Sequence, residues 1–515
     1  MRKNLLIPLF LILIGAIIAL WAGLSGDHNS TPSRPLMVYC AANLKKPVEA
    51  IAEQYRNEFG IEVQLQYGGT GTLLSQLQVS RQGDLFIAAD DGSLNDGRRL
   101  GLIKEVLPLV VQHPVVGVRR GNPKKVLSLD DLTRSDVKLA IPNPDAASIG
   151  KVVRQLIGAP WEKIAAAAVV MKPTVSEVTA DLQLGAVDAA FVWDSTIAQF
   201  QEIESVTLTE LSKHREYASA AVLASCTQAP AALQFARYMG APDRGGKIFT
   251  EHGFQLAGGD PWSEKPEMLL YSGGVNRLAI EELVQTFADR EGVTVNTVYN
   301  GCGILCSAMK TMENSEHAKF PDAYFACDVC FVTPVADHFP EAVMLTETPI
   351  VIAVPKGNPR NIRTLADLAQ TGLSVGLCNA EQSTLGFLTR SMLKSDNLWD
   401  SVSKNIAVEV PTADFLINQM RVGGLDAAIV YQVNVSPQGD HLEAIPLDSA
   451  KASAVQPFAV RHDSPNRQLS ERLLTFLKDH RKSFEEAGFV WRGEEKAIRS
   501  AEIELPVWLE KPTPQ

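Results

Sequence analysis

No Gly-x-Ser-x-Gly elbow, no Gly-rich phosphate loop closed by Lys-Ser or Lys-Thr, and no His-Glu-x-x-His occurs in these 515 residues, and the nine histidines are scattered. The commonest frameworks for acyl transfer, nucleotide hydrolysis and zinc-dependent hydrolysis are therefore missing. Positive charge is also short: 48 Lys and Arg stand against 59 Asp and Glu, a net charge of −11, which disfavours nucleic acid or an anionic membrane surface as a partner. No block of like charge suggests a disordered tail within a composition that is 46% hydrophobic and 21% charged. Cysteine is sparse and lopsided. Only Cys40 and Cys226 precede residue 300, whereas Cys302, Cys306, Cys327, Cys330 and Cys378 follow it. The total of seven is odd, so at least one thiol stays unpaired unless chains cross-link.

What the chain does have is one pattern written twice. Residues 39–44 read Y-C-A-A-N-L and residues 67–73 read Y-G-G-T-G-T-L; residues 271–276 and 299–305 answer with Y-S-G-G-V-N and Y-N-G-C-G-I-L. The spacing is the same in both copies, since 67 − 39 = 28 and 299 − 271 = 28. Residues 173–193, ending D-A-A-F-V-W, are matched by residues 411–431, ending D-A-A-I-V-Y, and each copy closes on Gly-Phe, at 253–254 and 488–489. A period this long means a duplicated domain, and it divides a chain too long for one core into two halves of ordinary size.

At the N-terminus, Arg2 and Lys3 precede an almost unbroken apolar run over residues 5–24, long enough to span a bilayer as a helix. It reads as a cleaved export signal or a retained membrane anchor, and both readings stay open. Either one puts the rest of the chain outside the cytoplasm, periplasmic or otherwise extracytoplasmic, where thiols can oxidise. The expected organisation is residues 1–35 as signal or anchor plus linker, 36–262 as a first domain, 263–490 as a second, and 491–515 as a charged C-terminal tail.

Within the first copy, residues 36–39 read as a short buried strand. Val48, Ile51, Ala52, Tyr55 and Phe59 follow at helical spacing, residues 61–67 alternate as a strand, and 73–79 and 84–89 read as helix and strand. This β-α-β-α-β order predicts a parallel sheet with helices on both faces. Apolar runs around residues 110–118 then lead into a second α/β unit over 137–193, and 206–254 can return to complete the first. The predicted fold class is α/β: two lobes per half, with a ligand cleft at the carboxyl ends of their strands.

Small or hydroxylic residues stand where strands give way to helices at 40–43, 68–72, 145–150 and 174–178. Each helix N-terminus offers unpaired N–H groups and partial positive charge. Thr70, Thr72 and Ser148 can serve as ordinary helix caps, or the four termini can converge into a cage of hydrogen-bond donors fit for a tetrahedral oxyanion. The order A-A-N-L, G-G-T-G-T-L, D-L-F-I-A-A-D, A-S-I-G-K, D-A-A-F-V-W resembles periplasmic molybdate-binding proteins, members of the type II solute-binding fold, and the likeness runs nearly end to end through each half. It implies tandem type II periplasmic-binding-protein domains, no enzymatic activity and no cofactor. It also implies capture of an oxyanion, molybdate or tungstate, for a membrane ABC transporter permease. The ligand-holding positions it implies are Asn43, Thr70, Ala147, Ser148, Val178 and Trp193. Asn43 stands where the family has serine, and Trp193 where it has tyrosine. In the second copy Tyr431 restores the tyrosine and Ser383 and Thr384 replace Ala147 and Ser148. There Val275 replaces Asn43 and Cys302 replaces Thr70, with Ser272 or Asn276 as a substitute donor.

Three readings of the cysteines remain open: disulfides among Cys302, Cys327, Cys306 and Cys330, a thiol touching the ligand, or a thiolate metal site. Alternative functions are a membrane-tethered oxyanion sensor, or a second half adapted to another solute or metal. Asp90 and Asp328, like Asp188 and Asp426, are one position in two domains, so they are expected to close turns rather than to form a catalytic dyad.

Overall fold

The computed structural model describes residues 34–313 and 319–509. The apolar run at 5–24 lies outside them, and no described helix is long and apolar enough to cross a membrane. The opening strand Leu36–Ala41 pairs in parallel with Val63–Gly68 on one side and Leu85–Ala88 on the other. Between the first two runs the helix Lys45–Phe59, which buries Val48, Ile51, Ala52 and Tyr55 and ends where Gly60 adopts φ 71°. Three- and four-residue spacing puts those side chains on one face, and the left-handed Gly60 stops the helix without steric cost.

Three more strands complete this six-stranded sheet: Glu216–Leu223 runs antiparallel to Leu85–Ala88 and to Ile103–Gln112, and Gln255–Leu256 pairs with the far side of Ile103–Gln112. A second, five-stranded sheet is built from Leu139–Pro142, parallel to Val170–Lys172 and Ala189–Trp193, with Pro114–Arg119 antiparallel to Ala189–Trp193 and to Ile203–Val206. The chain thus passes between the two sheets twice, and the α/β lobes expected from the sequence are present.

The second half repeats this plan with one change. Where the first half breaks at His113 between two strands, the second runs a single strand, Glu341–Pro355, through both lobes. Its first part pairs with Ser453–Val460 and its last with Ala427–Tyr431 and Leu442–Pro446, so that both lobes share one eleven-stranded sheet. Residues beyond Trp491, expected as a charged surface tail, add Ile498–Arg499 to the edge of the same long strand and bury Ser500.

Polar contacts join the halves. Asp260 accepts from the backbone N–H of Gln468 (2.8 Å) and Leu469 (3.0 Å), closing the N-terminus of the helix Arg467–Asp479. Glu291, almost fully buried, sits between Arg237 at 3.2 Å and Arg472 at 2.7 Å. A carboxylate placed so deeply is tolerable only because both guanidinium groups satisfy it.

Candidate functional site

In the first half the two lobes meet around a small cleft lined by residues 41–43, 68–70, 147–149, Thr174 and Val175, with about 210 Å³ of space that is partly open to solvent. Glycine lets them come so close. A Cβ at Gly69 would stand 2.4 Å from the Ala146 carbonyl oxygen and 2.5 Å from that of Pro173; one at Gly71 would stand 2.5 Å from that of Asp145. The Gly71 N–H donates across the gap to the Ala146 carbonyl at 2.9 Å, so the cleft is closed.

The hydroxyls do not spend themselves on capping. The helix Thr70–Ser80 is preceded by Gly69 and the helix Ser148–Ile157 by Ala147, neither with a side-chain cap, so Thr70 and Ser148 are the first residues of their helices. Both are buried, both line the cleft, and neither hydroxyl has a hydrogen-bond partner. Their backbone N–H groups belong to the set that a helix cannot satisfy internally. Capping holds at Thr174, whose hydroxyl accepts from the Glu177 N–H at 3.2 Å.

The remaining predicted positions divide. Asn43 lines the cleft, but its amide donates to Gln112 Oε1 at 3.0 Å, and Gln112 in turn donates to the Ala89 carbonyl at 2.9 Å. Ala147 lines it with its N–H already given to the Asn143 carbonyl at 2.8 Å. Val178 and Trp193 are fully buried and do not form the wall; Thr174 and Val175 occupy the place expected for Val178. Trp193 Nε1 and, three residues on, Thr196 Oγ1 are nevertheless buried donors without partners. Ser195, between them, donates to Gln112 Oε1 at 3.3 Å and so ties this segment to the cleft. Unpartnered buried donors are rare and call for a ligand or water.

The second cleft occupies the equivalent place, lined by Gly274, Val275, Asn300, Gly301, Cys327, Ser383, Leu385, residues 411–414, Tyr431 and Asn434, with about 290 Å³ of space. It is closed in the same way: the Ile304 N–H donates to the Gln382 carbonyl at 3.3 Å, and a Cβ at Gly303 would meet the Glu381 carbonyl oxygen at 2.0 Å. Ser383 and Tyr431 form part of the wall, and the Tyr431 hydroxyl is buried without a partner. Cys302, Thr384 and Ser272 lie behind it. Ser272 Oγ donates to the Gly273 carbonyl at 3.3 Å, and Asn276 donates to the Phe325 carbonyl at 3.0 Å, so neither supplies the missing donor.

The cysteines make a local cluster. Cys302 and Cys327 face each other with sulfurs 3.1 Å apart and unbonded, and Cys327 forms part of the cleft wall. Gly273 makes room for this, since a Cβ there would lie 2.2 Å from the Cys327 sulfur; the first half has Ala41 and Ala89 at these two positions. Burial raises the Cys302 thiol, but hydrogen bonds from the Cys327 and Tyr324 side chains and from the Cys327 N–H outweigh it and hold Cys302 toward the thiolate. Its place at a helix N-terminus acts in the same direction. Cys327, donating to Cys302 and buried, is held in the thiol form. Cys306 and Cys330 are not brought together by any hydrogen bond: Cys306 donates to the Phe331 carbonyl at 3.3 Å, and the Cys330 N–H is taken by Asp328 at 3.0 Å. Among the described residues no group of three or more His, Cys, Asp or Glu side chains is arranged to hold a metal ion.

Two of the paired aspartates, Asp90 and Asp328, cap the helix starts that follow them, whereas Asp188 and Asp426 close no turn and instead hold a backbone N–H at the foot of a neighbouring strand. Asp90 accepts from the Ser93 N–H at 2.7 Å and its counterpart Asp328 from those of Cys330 (3.0 Å) and Val455 (2.9 Å); Asp188 and Asp426 accept from Lys138 (3.0 Å) and Ser374 (2.9 Å). Gln112, Asp414 and Asn434 were missed. The last two were legible in the internal alignment, where Asp414 stands opposite Ser176 and Asn434 opposite Thr196.

A family model described as bacterial extracellular solute-binding protein matches residues 36–255 and again residues 268–490. A Haemophilus influenzae protein described simply as a binding protein is 27% identical over 227 residues, 44% of this chain and 92% of its own length. The molybdate-binding protein ModA of Mycobacterium bovis is 24% identical over 249 residues, covering 47% of this chain and 94% of that one. The solved periplasmic molybdate-binding protein of Azotobacter vinelandii aligns with 43% of this chain and 100% of its own, at 19% identity and a TM-score of 0.37. Each of these single proteins corresponds to one half of the chain.

Proposed function

Because the chain belongs, through both of its halves, to the bacterial extracellular solute-binding protein family, we propose that it is an extracytoplasmic receptor that captures a tetrahedral oxyanion, molybdate or tungstate, in its first cleft. Its two solute-binding domains are residues 36–262 and 263–490, its N-terminal apolar segment serves export or anchorage, and its partner is the permease of an ABC-type importer. The observation that carries this reading is the pair Thr70 and Ser148. Each is the first residue of a helix aimed at the same closed cleft, and each is a buried residue whose hydroxyl is left free of internal hydrogen bonds.

Such a cage neutralises an anion with fixed dipoles and hydroxyls rather than with Lys or Arg, which suits a receptor that must later release its cargo. A fully deprotonated anion is favoured, because the wall carries no carboxylate to take a proton from the ligand. Titration calorimetry of the full chain tests this: heat with molybdate or tungstate is expected. Silence with both, together with heat from sulfate, would end the molybdate reading while keeping an oxyanion one.

A further inference from the structure

The second cleft differs from the first in the sign of what it offers. Asp414 stands in its wall where the first half has Ser176, and Asn434 where the first half has Thr196. Asn434 is 5% exposed, lines the cleft, and keeps its side-chain oxygen buried with no partner; its Nδ2 reaches Asp414 Oδ1 at 3.5 Å. The wall therefore holds two acceptors, the exposed carboxylate of Asp414 at its rim and the buried amide oxygen of Asn434, beside the donors Ser383 and Tyr431 and the N-terminus of the helix Ala413–Arg421. Asp414 is not neutralised by a salt bridge: Arg277, whose charge acts on it, spends its guanidinium on Glu281 at 2.8 Å. Phe415 replaces the Glu177 that closes the equivalent helix start, and Thr412 makes no side-chain cap.

A buried acceptor without a partner costs free energy that only a donor can return. A fully ionised dianion such as molybdate or sulfate has no proton to give and would meet Asp414 with like charge. An oxyanion that keeps a proton at neutral pH can place its oxygens on the donors and its O–H on the acceptors, and an O–H to carboxylate bond is among the strongest available. Resting on the reading of the fold as an oxyanion receptor, we infer that the second cleft binds a protonated tetrahedral oxyanion of the hydrogen-phosphate or hydrogen-arsenate class, with Asp414 and Asn434 accepting its proton-bearing oxygen. The two halves then carry solutes that differ by a proton rather than by shape.

Inorganic phosphate and sulfate separate the cases, since they match in size and differ in protonation at pH 7. The full chain carrying Thr70→Ala and Ser148→Ala, which disables the first cleft, is titrated calorimetrically with each. Expected is one phosphate per chain with sulfate at least about tenfold weaker, and an Asp414→Ser variant in which phosphate weakens about tenfold and the preference over sulfate disappears. Sulfate binding as tightly as phosphate, no phosphate binding, or an unchanged ratio in Asp414→Ser would overturn the inference. Molybdate titration of the unaltered chain keeps the two readings apart. If molybdate binds there while phosphate fails in the variant, only the assignment of the second cleft falls; if neither binds, the oxyanion reading falls with it.

Discussion

The two clefts share a closure and differ in chemistry. Both are shut by a glycine-rich turn that brings a backbone N–H of one lobe to a carbonyl of the other, Gly71 to Ala146 and Ile304 to Gln382. Around that common hinge contact the first cleft presents the free hydroxyls of Thr70 and Ser148, and the second presents Ser383, Tyr431, Cys327, Asp414 and Asn434. Duplication has kept the parts that fix geometry and changed the side chains that line the clefts. A backbone closure tolerates almost no variation, because any Cβ at these glycines would strike a carbonyl, whereas a side chain in the wall can change with only its own contacts at stake.

The sharpest way to separate the clefts is to prop them open one at a time. Gly71→Val should lower first-cleft affinity by about 100-fold or more, roughly 3 kcal/mol, and leave the second untouched, while Gly303→Val should do the reverse. Ligand titration of each variant checks this, and loss at both sites from one change would show that the clefts are coupled. A somewhat smaller effect concerns the buried capping carboxylates. Burial, the largest influence, raises Asp90 to about 6, and it raises Asp328 in the same direction. For an acid raised on folding, the native state binds the extra proton, so the stabilisation is complete below about pH 4 and is lost as pH rises through about 6, a change of up to about 3 kcal/mol. Urea midpoints at pH 4.5 and pH 7 should show this slope, and Asp90→Asn should flatten the share that belongs to the first half.

Thr70→Ala should weaken first-cleft binding by ten- to a hundredfold, about 1.5–3 kcal/mol for a hydrogen bond to a charged group, whereas Cys302→Ala at the equivalent position should leave that cleft unaffected. The smallest effect on binding is that of Trp193→Phe. The indole lies behind the cleft wall, so affinity for the anion should stay within about twofold of the parent. Trimming a fully buried indole leaves a cavity, so the unfolding free energy should fall by about 1–3 kcal/mol.

The strands and helices that carry the site were legible because their signals are local. The run from Leu36 and the 3–4 spacing of Val48, Ile51 and Tyr55 can bury an apolar face in only one way. The hinge contact was half legible: the glycines of G-G-T-G-T-L are visible, but the carbonyls they approach lie about 75 residues further on, in the other lobe. Whether Thr70 and Ser148 cap their helices or begin them depends on one residue of register, which periodicity does not resolve. The resemblance puts Val178 and Trp193 in the wall, and both lie behind it: Val178 is the fourth residue of a helix whose first residues face the cleft, and Trp193 ends a fully buried strand. The merging of the second half into one sheet rests on whether a strand pauses at His113 or runs on through Pro349, a distinction that apolar content alone does not make. Asp414 and Asn434 stand opposite Ser176 and Thr196 in the repeat, but a polar residue at a helix start carries no local signal that it faces a cleft.

The most direct test of the asymmetry is a count. Native mass spectrometry of the full chain with molybdate should show one anion per chain, absent in the Thr70→Ala, Ser148→Ala double variant and retained in Ser383→Ala. Two anions per chain, or loss of the single anion in Ser383→Ala, would contradict the account.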